Sequence, residues 1–335
     1  MTSTIADVAR LARVSPATVS KLLNTPHRVS PETSQRIRAA IAELDYVRND
    51  AARQLRAGSS RTIGLLAYDV ENPFFVDLVS LITAESATSG MFVLLANGQG
   101  SPSRDEEYLR LFEEQRVRGL LVAPSGDVPE ELARIHRQGI PVVLLDREDP
   151  QHRVPSVSFD DYAGGALAAG HLISRGCRRL AFAGDDIEMR QVHDRLAGAR
   201  HAVEQAPGAT IEVIDTGGRT TEHGRTVAER ILARPASQRP DGVFAVNDRV
   251  AVGLLQTLVW DGGVSVPSEI AVVGYDDIEF GAAAVVPLTT IHQPKKAFAK
   301  AALQLLFEKD EQPRRLVIEP RLVVRESTRR RHAKG

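Results

Sequence analysis

At 335 residues, with 43% apolar and 25% charged side chains, the chain has an ordinary globular composition and is too long for one small core, so a small domain plus a larger one is expected. A single cysteine, Cys177, excludes an intramolecular disulfide and a cysteine metal cluster, and the absence of a run of about 18 apolar residues or an apolar leader predicts a cytoplasmic protein with no membrane partner. The formal net charge of −1 hides a division: residues 1–60 carry nine basic and five acidic side chains, a net +4, which leaves −5 for the remainder. A basic head on an acidic body suits a chain whose head approaches a polyanion.

The first predicted elements are two short helices over Ile5 to Asn24, IADVARLARVSPATVSKLLN, with a tight turn between them. Thr4 and Asp7 form a capping box for the first, and Val8, Ala9 and Ala12 give it a narrow apolar stripe that lets a second helix cross closely. Val14 fills the turn, Ser15 caps the second helix, Pro16 takes its first position, and Val19, Leu22 and Leu23 face the core. The opposite face presents Pro16, Ala17, Thr18, Ser20 and Lys21, small or polar side chains beside a helix N-terminus that suit base edges and phosphates. An ordinary helical hairpin with an idle face has the same periodicity. Ser30-Pro31-Glu32-Thr33 then starts a third helix with Ile37, Ile41 and Leu44 on one side, and Asn49 caps a short alanine-rich segment, 49–57, too short to be a stable helix alone.

The wording of IADVARLARVSPATVSKLLN, followed by VSPETSQRIRAAIAELDYVRNDAARQL, resembles the head of the LacI family of bacterial transcription regulators nearly position by position. The resemblance implies a helix-turn-helix whose DNA-contacting residues are Thr4, Ser15, Pro16, Ala17, Thr18, Ser20, Lys21, Asn24 and Arg28. It also implies a hinge helix contributing Asn49, Arg53, Leu55 and Arg56, with Leu55 wedged into the minor groove at the centre of the operator. The alternative is that Leu55 packs on the body. Gly58-Ser59-Ser60 begins the linker.

From Thr62 onward nine short apolar strands alternate with amphipathic helices: 63–68, 92–96, 119–124, 141–146, 156–159, 179–184, 211–215, 242–247 and 270–276. Such runs predict parallel sheets with helices on both faces, broken near residues 160–165 into two tandem doubly wound α/β lobes. VENPFF (70–75), PVVLLDR (141–147), FDDYAGG (159–165), RLAG (195–198), AVND (245–248), VVGYDD (272–277) and PLTTIHQP (287–294) carry the same resemblance through the body. It implies lobes similar to periplasmic sugar-binding proteins, with a return to the first lobe near PLTTI and one more crossing near the end. The expected boundaries are 1–48 for the head, 49–61 for hinge and linker, 62–160 with 290–320 for the N-lobe, 161–289 with 321–330 for the C-lobe, and a basic tail at 331–335.

In such folds ligands bind beyond the carboxyl ends of strands, here a cleft between lobes. Strand ends supply Asp69 and Phe74, Ser125, Asp146 and Arg147, Asn247 and Asp248, and Asp276, while Phe159 is a second candidate plate. By resemblance Arg195 and Gln293 also face the effector. Asp146, Asp160 and Asp248 read equally as helix N-caps. Carboxylates, an amide and arginines with an aromatic plate match a polyhydroxylated ligand, and with few aromatics a sugar or sugar derivative is favoured over a nucleobase or nucleoside. No phosphate loop, nucleophile elbow or metal-ligand spacing appears, so no enzyme activity, cofactor or metal is expected. The remaining expectation is a homodimer on a palindromic operator, most often a repressor and alternatively an activator, because RESTRRRHAKG lacks the leucine heptads of a four-chain bundle.

Overall fold

The computed structural model describes residues 3–46, 60–126, 130–185, 189–308 and 313–329. They form two compact units that divide between Ser60 and Arg61.

In the head, α1 (Ile5–Leu11), α2 (Pro16–Asn24) and α3 (Pro31–Glu43) each begin at a hydroxyl cap. Thr4 Oγ1 accepts from the Asp7 amide while the Asp7 carboxylate accepts from the Thr4 amide, which completes the capping box. Ser15 and Ser30 Oγ accept from the amides of Thr18 and Thr33, and a proline fills the first position of each of those helices. Arg13, at φ 52°, reverses the chain between α1 and α2. The core is Val8, Ala9, Ala12, Val19, Leu22, Ile37 and Ala40, ringed by half-buried Val14, Leu23, Ile41 and Leu44. So small a core leaves little stability in reserve.

The body runs β1 (Thr62–Ala67), α4 (Pro73–Thr88), β2 (Phe92–Asn97), α5 (Pro102–Glu114), β3 (Gly119–Val122), α6 (Glu130–Arg137), β4 (Val142–Leu145) and β5 (Ser156–Phe159). It continues through α7 (Asp161–Ser174), β6 (Arg179–Gly184), α8 (Arg190–Glu204), β7 (Thr210–Asp215), α9 (Thr221–Leu232), β8 (Gly242–Ala245) and α10 (Asp248–Gln256). Last come β9 (Ala271–Tyr275), α11 (Glu279–Ala282), β10 (Thr289–His292), α12 (Lys295–Phe307), β11 (Arg315–Ile318) and β12 (Arg321–Val323). Two six-stranded sheets result, in the orders β11-β5-β4-β3-β1-β2 and β12-β10-β9-β8-β6-β7. Every pairing is parallel except β12 on β10. Strands such as β3, β4, β8 and β9 are buried along their whole length, which is why they read as continuous apolar runs rather than alternating ones.

Three strands, β10 to β12, lie outside the nine expected ones, for a physical reason. Thr289-Thr290-Ile291-His292 is too polar to stand out, and β11 and β12 are short, half-exposed edge strands. They alter one boundary. Because β10 belongs to the second sheet, the return to the first lobe falls at Gln293-Pro294 rather than at residue 290. The chain thus passes between lobes after β5, after β10 and between β11 and β12.

Candidate functional sites

On the head, Pro16, Ala17 and Lys21 are exposed and Thr18 and Ser20 half-buried. Pro16, Ala17, Ser20, Lys21 and Asn24 line one shallow hollow together with Ile5 and Thr25, two residues the sequence reading passed over. Local bonds stiffen this face: Ser15 Oγ lies 2.8 Å from Thr18 Oγ1, and Asn24 Nδ2 donates to the Ser20 carbonyl at 2.9 Å. Thr4 and Arg28 are exposed outside that hollow. Asn49, Arg53, Leu55 and Arg56 lie outside the described residues.

In the body, a cavity of about 80 Å³ opens between the lobes. The first lobe lines it with Tyr68, Asn72, Phe74, Phe75, Asp146 and Arg147, and the second with Met189, Gln191, Arg195, Arg219, Asn247 and Asp276, while Gln293 comes from the connection after β10. Two of these sit at strand ends in left-handed backbone, Asp146 at φ 56° after β4 and Asp276 at φ 114° after β9. Strained non-glycine residues of this kind persist only where the surroundings hold them, and they gather at functional sites.

Arg195 is the centre of the second wall. Its Nε donates to Asp161 Oδ1 at 2.8 Å, its Nη1 donates to the Val246 carbonyl at 2.8 Å, and its guanidinium lies 3.6 Å from the centroid of the Tyr275 ring. The approach of α7 to α8 that makes this possible depends on glycines: a Cβ on Gly165 would fall 1.9 Å from the Arg195 carbonyl oxygen. Burial opposes the Arg195 charge, and the carboxylates of Asp161 and Asp276 more than offset it. Burial pushes the Asp161 carboxyl up to about 6 against the pull of Arg195, and pushes Asp276 up to about 7 against Arg195 and Lys295. Asn247 caps α10 by accepting from the Val250 amide and donates to the Arg219 carbonyl. Gln191 Nε2 crosses the cleft to the Asp146 carbonyl at 2.7 Å. The side-chain oxygens of Gln191 and Gln293 are buried with no donor among the described residues, so the wall calls for a ligand that donates hydrogen bonds.

Of the expected contacts, Phe74, Arg147, Arg195, Asn247, Asp276 and Gln293 come together on this cavity, whereas three do not. Phe159 is 2% exposed and stacks on Phe298 at 4.6 Å in the first-lobe core, so it is a packing residue rather than a plate. Asp69 turns away, bonding the Glu71 amide and pairing with Arg249 at 3.6 Å. The Ser125 amide and hydroxyl both donate to buried Asp105. Asp160 caps α7, but the cap of α10 is Asn247 rather than Asp248, and fully buried Asp248 instead accepts from the Ile278 amide and the Thr290 hydroxyl. Asp146 lines the cavity. Tyr68, Met189, Gln191 and Arg219 were missed, although Gln191 is one helical turn before Arg195 and Arg219 follows the end of β7, signals that pointed to them.

The profile described as bacterial regulatory proteins, lacI family, matches residues 4–49, and that of the periplasmic binding protein-like domain matches residues 169–328. A protein of Vibrio parahaemolyticus, the HTH-type transcriptional repressor PurR, is 34% identical over 335 residues, covering 98% of this chain and 99% of that one. The chain belongs to the LacI family. As a member it is a DNA-binding transcriptional repressor. Its fold is similar to that of the lac repressor dimer bound to operator and the anti-inducer ONPF, at TM-score 0.82 and 26% identity over 98% of this chain and 99% of that one. The regulator CelR in complex with cellobiose matches at TM-score 0.68 and 30% identity, over 97% and 99%. No described helix is long and apolar enough to cross a membrane.

Proposed function

We propose that this LacI-family repressor binds a palindromic operator in the cytoplasm as a homodimer and is switched by a compact polyhydroxylated ligand, a sugar or sugar derivative, held between the lobes. The observation that carries the ligand class is the second wall. Arg195, Asn247 and Asp276, with the acceptor oxygens of Gln191 and Gln293, offer donors and acceptors in the alternation that hydroxyl pairs match. Tyr68, Phe74 and Phe75 supply an apolar face on one side only. Ligand binding that draws the lobes together changes the separation of the two chains' hinge segments and so the affinity for DNA, a coupling of two sites through one bistable element. Asn49, Arg53, Leu55 and Arg56 contact the operator centre in this reading, with Leu55 as the wedge.

A nucleobase is the second reading, favoured by the Vibrio relative named PurR and by the aromatic first wall. Against it, no aromatic ring of the second lobe lines the cavity among the described residues to complete a sandwich.

The deciding experiment captures fragments of the source genome on the purified protein at physiological salt and sequences them. An enriched palindrome with a flexible central step supports the operator reading, and the adjacent genes name the compounds to titrate beside cellobiose, ribose and hypoxanthine. Sequence-independent capture with every candidate ligand present would overturn it.

A further inference from the structure

The cleft is bridged by charge as well as by chain. The backbone passes between the lobes beside β5, β10, β11 and β12, at one end of each sheet. Away from those crossings, two ion pairs join the lobes. Glu148, three residues past β4 in the first lobe, accepts at Oε1 from Nη1 of Arg190, the first residue of α8 in the second, at 2.9 Å. Asp69, two residues past β1, lies with Oδ2 3.6 Å from Nη1 of Arg249 on α10. β1 is three strands from β5, about 14 Å at the usual strand spacing, so this second pair holds the lobes well away from the hinge. Both carboxylates are fixed from their own lobe: Arg315 on β11 pairs with Glu148 at 2.6 Å, and the Glu71 amide donates to Asp69 Oδ1 at 2.8 Å. Arg190 also lies 3.5 Å from Asp194, one turn along α8. The four side chains of the two pairs keep 19–31% of their exposure. A free surface pair contributes little because ordering two long side chains offsets the attraction, but here the acidic partner is already in place and partly shielded from water.

We infer that Glu148–Arg190 and Asp69–Arg249 form an electrostatic clasp that draws the lobes together before any effector binds. Each attraction exists only while the lobes meet, so an open form forfeits both, and together they raise the closed population. An effector that needs both walls then finds a larger binding-competent fraction, and its apparent affinity rises with that fraction. The clasp belongs to the ligand-free chain; its bearing on affinity rests on the cleft being the effector site.

Hydrogen exchange of the ligand-free, full-length protein tests it at constant pH. Glu148→Gln and Asp69→Asn each remove one charge and keep a side-chain acceptor, and the loss of one pair is read at the other. Glu148→Gln should speed exchange about threefold over residues 68–75 and 246–250, and Asp69→Asn should do the same over 144–149 and 189–196, with about tenfold on both walls in the double variant. The core strands β3 and β9 serve as the control and should not change. Raising salt from about 0.05 to about 0.5 M should speed both walls in the wild type, because screening weakens the pairs, and should leave the double variant unmoved. Cooperative melting checks each variant, and because the pairs lie on separate segments, failure of one variant to fold leaves the other to carry the test. Faster exchange only beside the substituted residue, no change at either wall, or a full salt response in the double variant would each overturn the clasp. These readouts contain neither ligand nor DNA, so their failure leaves the repressor and effector assignments standing, and loss of operator capture leaves the clasp standing.

Discussion

The head and the cleft are built on different length scales. Among the described residues, the side-chain bonds that shape the exposed face of α2 span three or four residues: Ser15 to Thr18 and Asn24 to Ser20. The bonds that shape the cleft span far more: 28 residues from Asn247 to Arg219, 34 from Arg195 to Asp161, 45 from Gln191 to Asp146 and 51 from Arg195 to Val246. A local motif stores its geometry in the helix that carries it, so its residues act one at a time. A site assembled over such separations works as a network, in which one change is felt by every partner.

The largest effect that tests this difference is at Arg195. Arg195→Ala removes the cation facing Asp161, which is only 2% exposed, and strands a buried carboxylate, so the loss of stability should be about 3–5 kcal/mol and the effector response should disappear. Asp161→Ala strands the arginine instead and should cost a similar amount. If the cleft is a network, the double variant in denaturant melts will cost clearly less than the two singles together. Strict additivity would break the comparison. Gly165→Ala acts on the same network through the backbone: its methyl group collides with the Arg195 carbonyl, α7 and α8 must separate, and about 1–3 kcal/mol should be lost with a matching fall in effector affinity. Unchanged melting there would mean the helices have slack.

How far each site could be read from sequence follows from the same length scales. The capping box at Thr4 and Asp7, the cap at Ser15 and the turn at Val14 were legible because sequence neighbours make them. In the cleft, the rule that ligands meet strand ends found Arg147, Asn247 and Asp276, yet it also selected Asp69 and Ser125, whose side chains turn to Arg249 and Asp105. Position after a strand tells where a residue is, not which way it points. Phe159 failed for a related reason, since only the fold brings Phe298 on α12 against it. Asp161, one residue past a correctly read cap, became visible as the partner of Arg195 only when two helices crossed.

Asp276 sharpens the comparison through pH. Its carboxyl is raised from 3.8 to about 7, first of all by burial, so its ionisation costs the folded state free energy. The contribution to stability is complete below about pH 4 and is lost as pH rises through 7. Wild-type protein without ligand should therefore show a fall over that window that Asp276→Asn flattens in thermal melts. Binding of a hydroxylated ligand that donates to the carboxylate runs the other way: affinity should climb with pH toward 7 and level off above it, and the asparagine variant should lose that slope. An identical slope in both proteins would remove Asp276 from the contact.

The smallest expected effect lies in the head. Ser15→Ala removes one side-chain acceptor from the Thr18 amide and should cost about 1 kcal/mol, visible as a lower melting temperature of the head. Ser30→Ala removes the equivalent bond to the Thr33 amide and should cost a similar amount. The two caps share no bond, so their costs should add to within about 0.5 kcal/mol, in contrast with the shortfall expected for Arg195 and Asp161. Operator affinity should fall only as far as the head unfolds, because the Ser15 hydroxyl is committed to capping α2, and stabilising the head by other means should restore most of it. A loss of operator binding much larger than the loss of folded head would instead make the Ser15 hydroxyl a direct contact, and local motifs in this protein would then carry chemistry as well as shape.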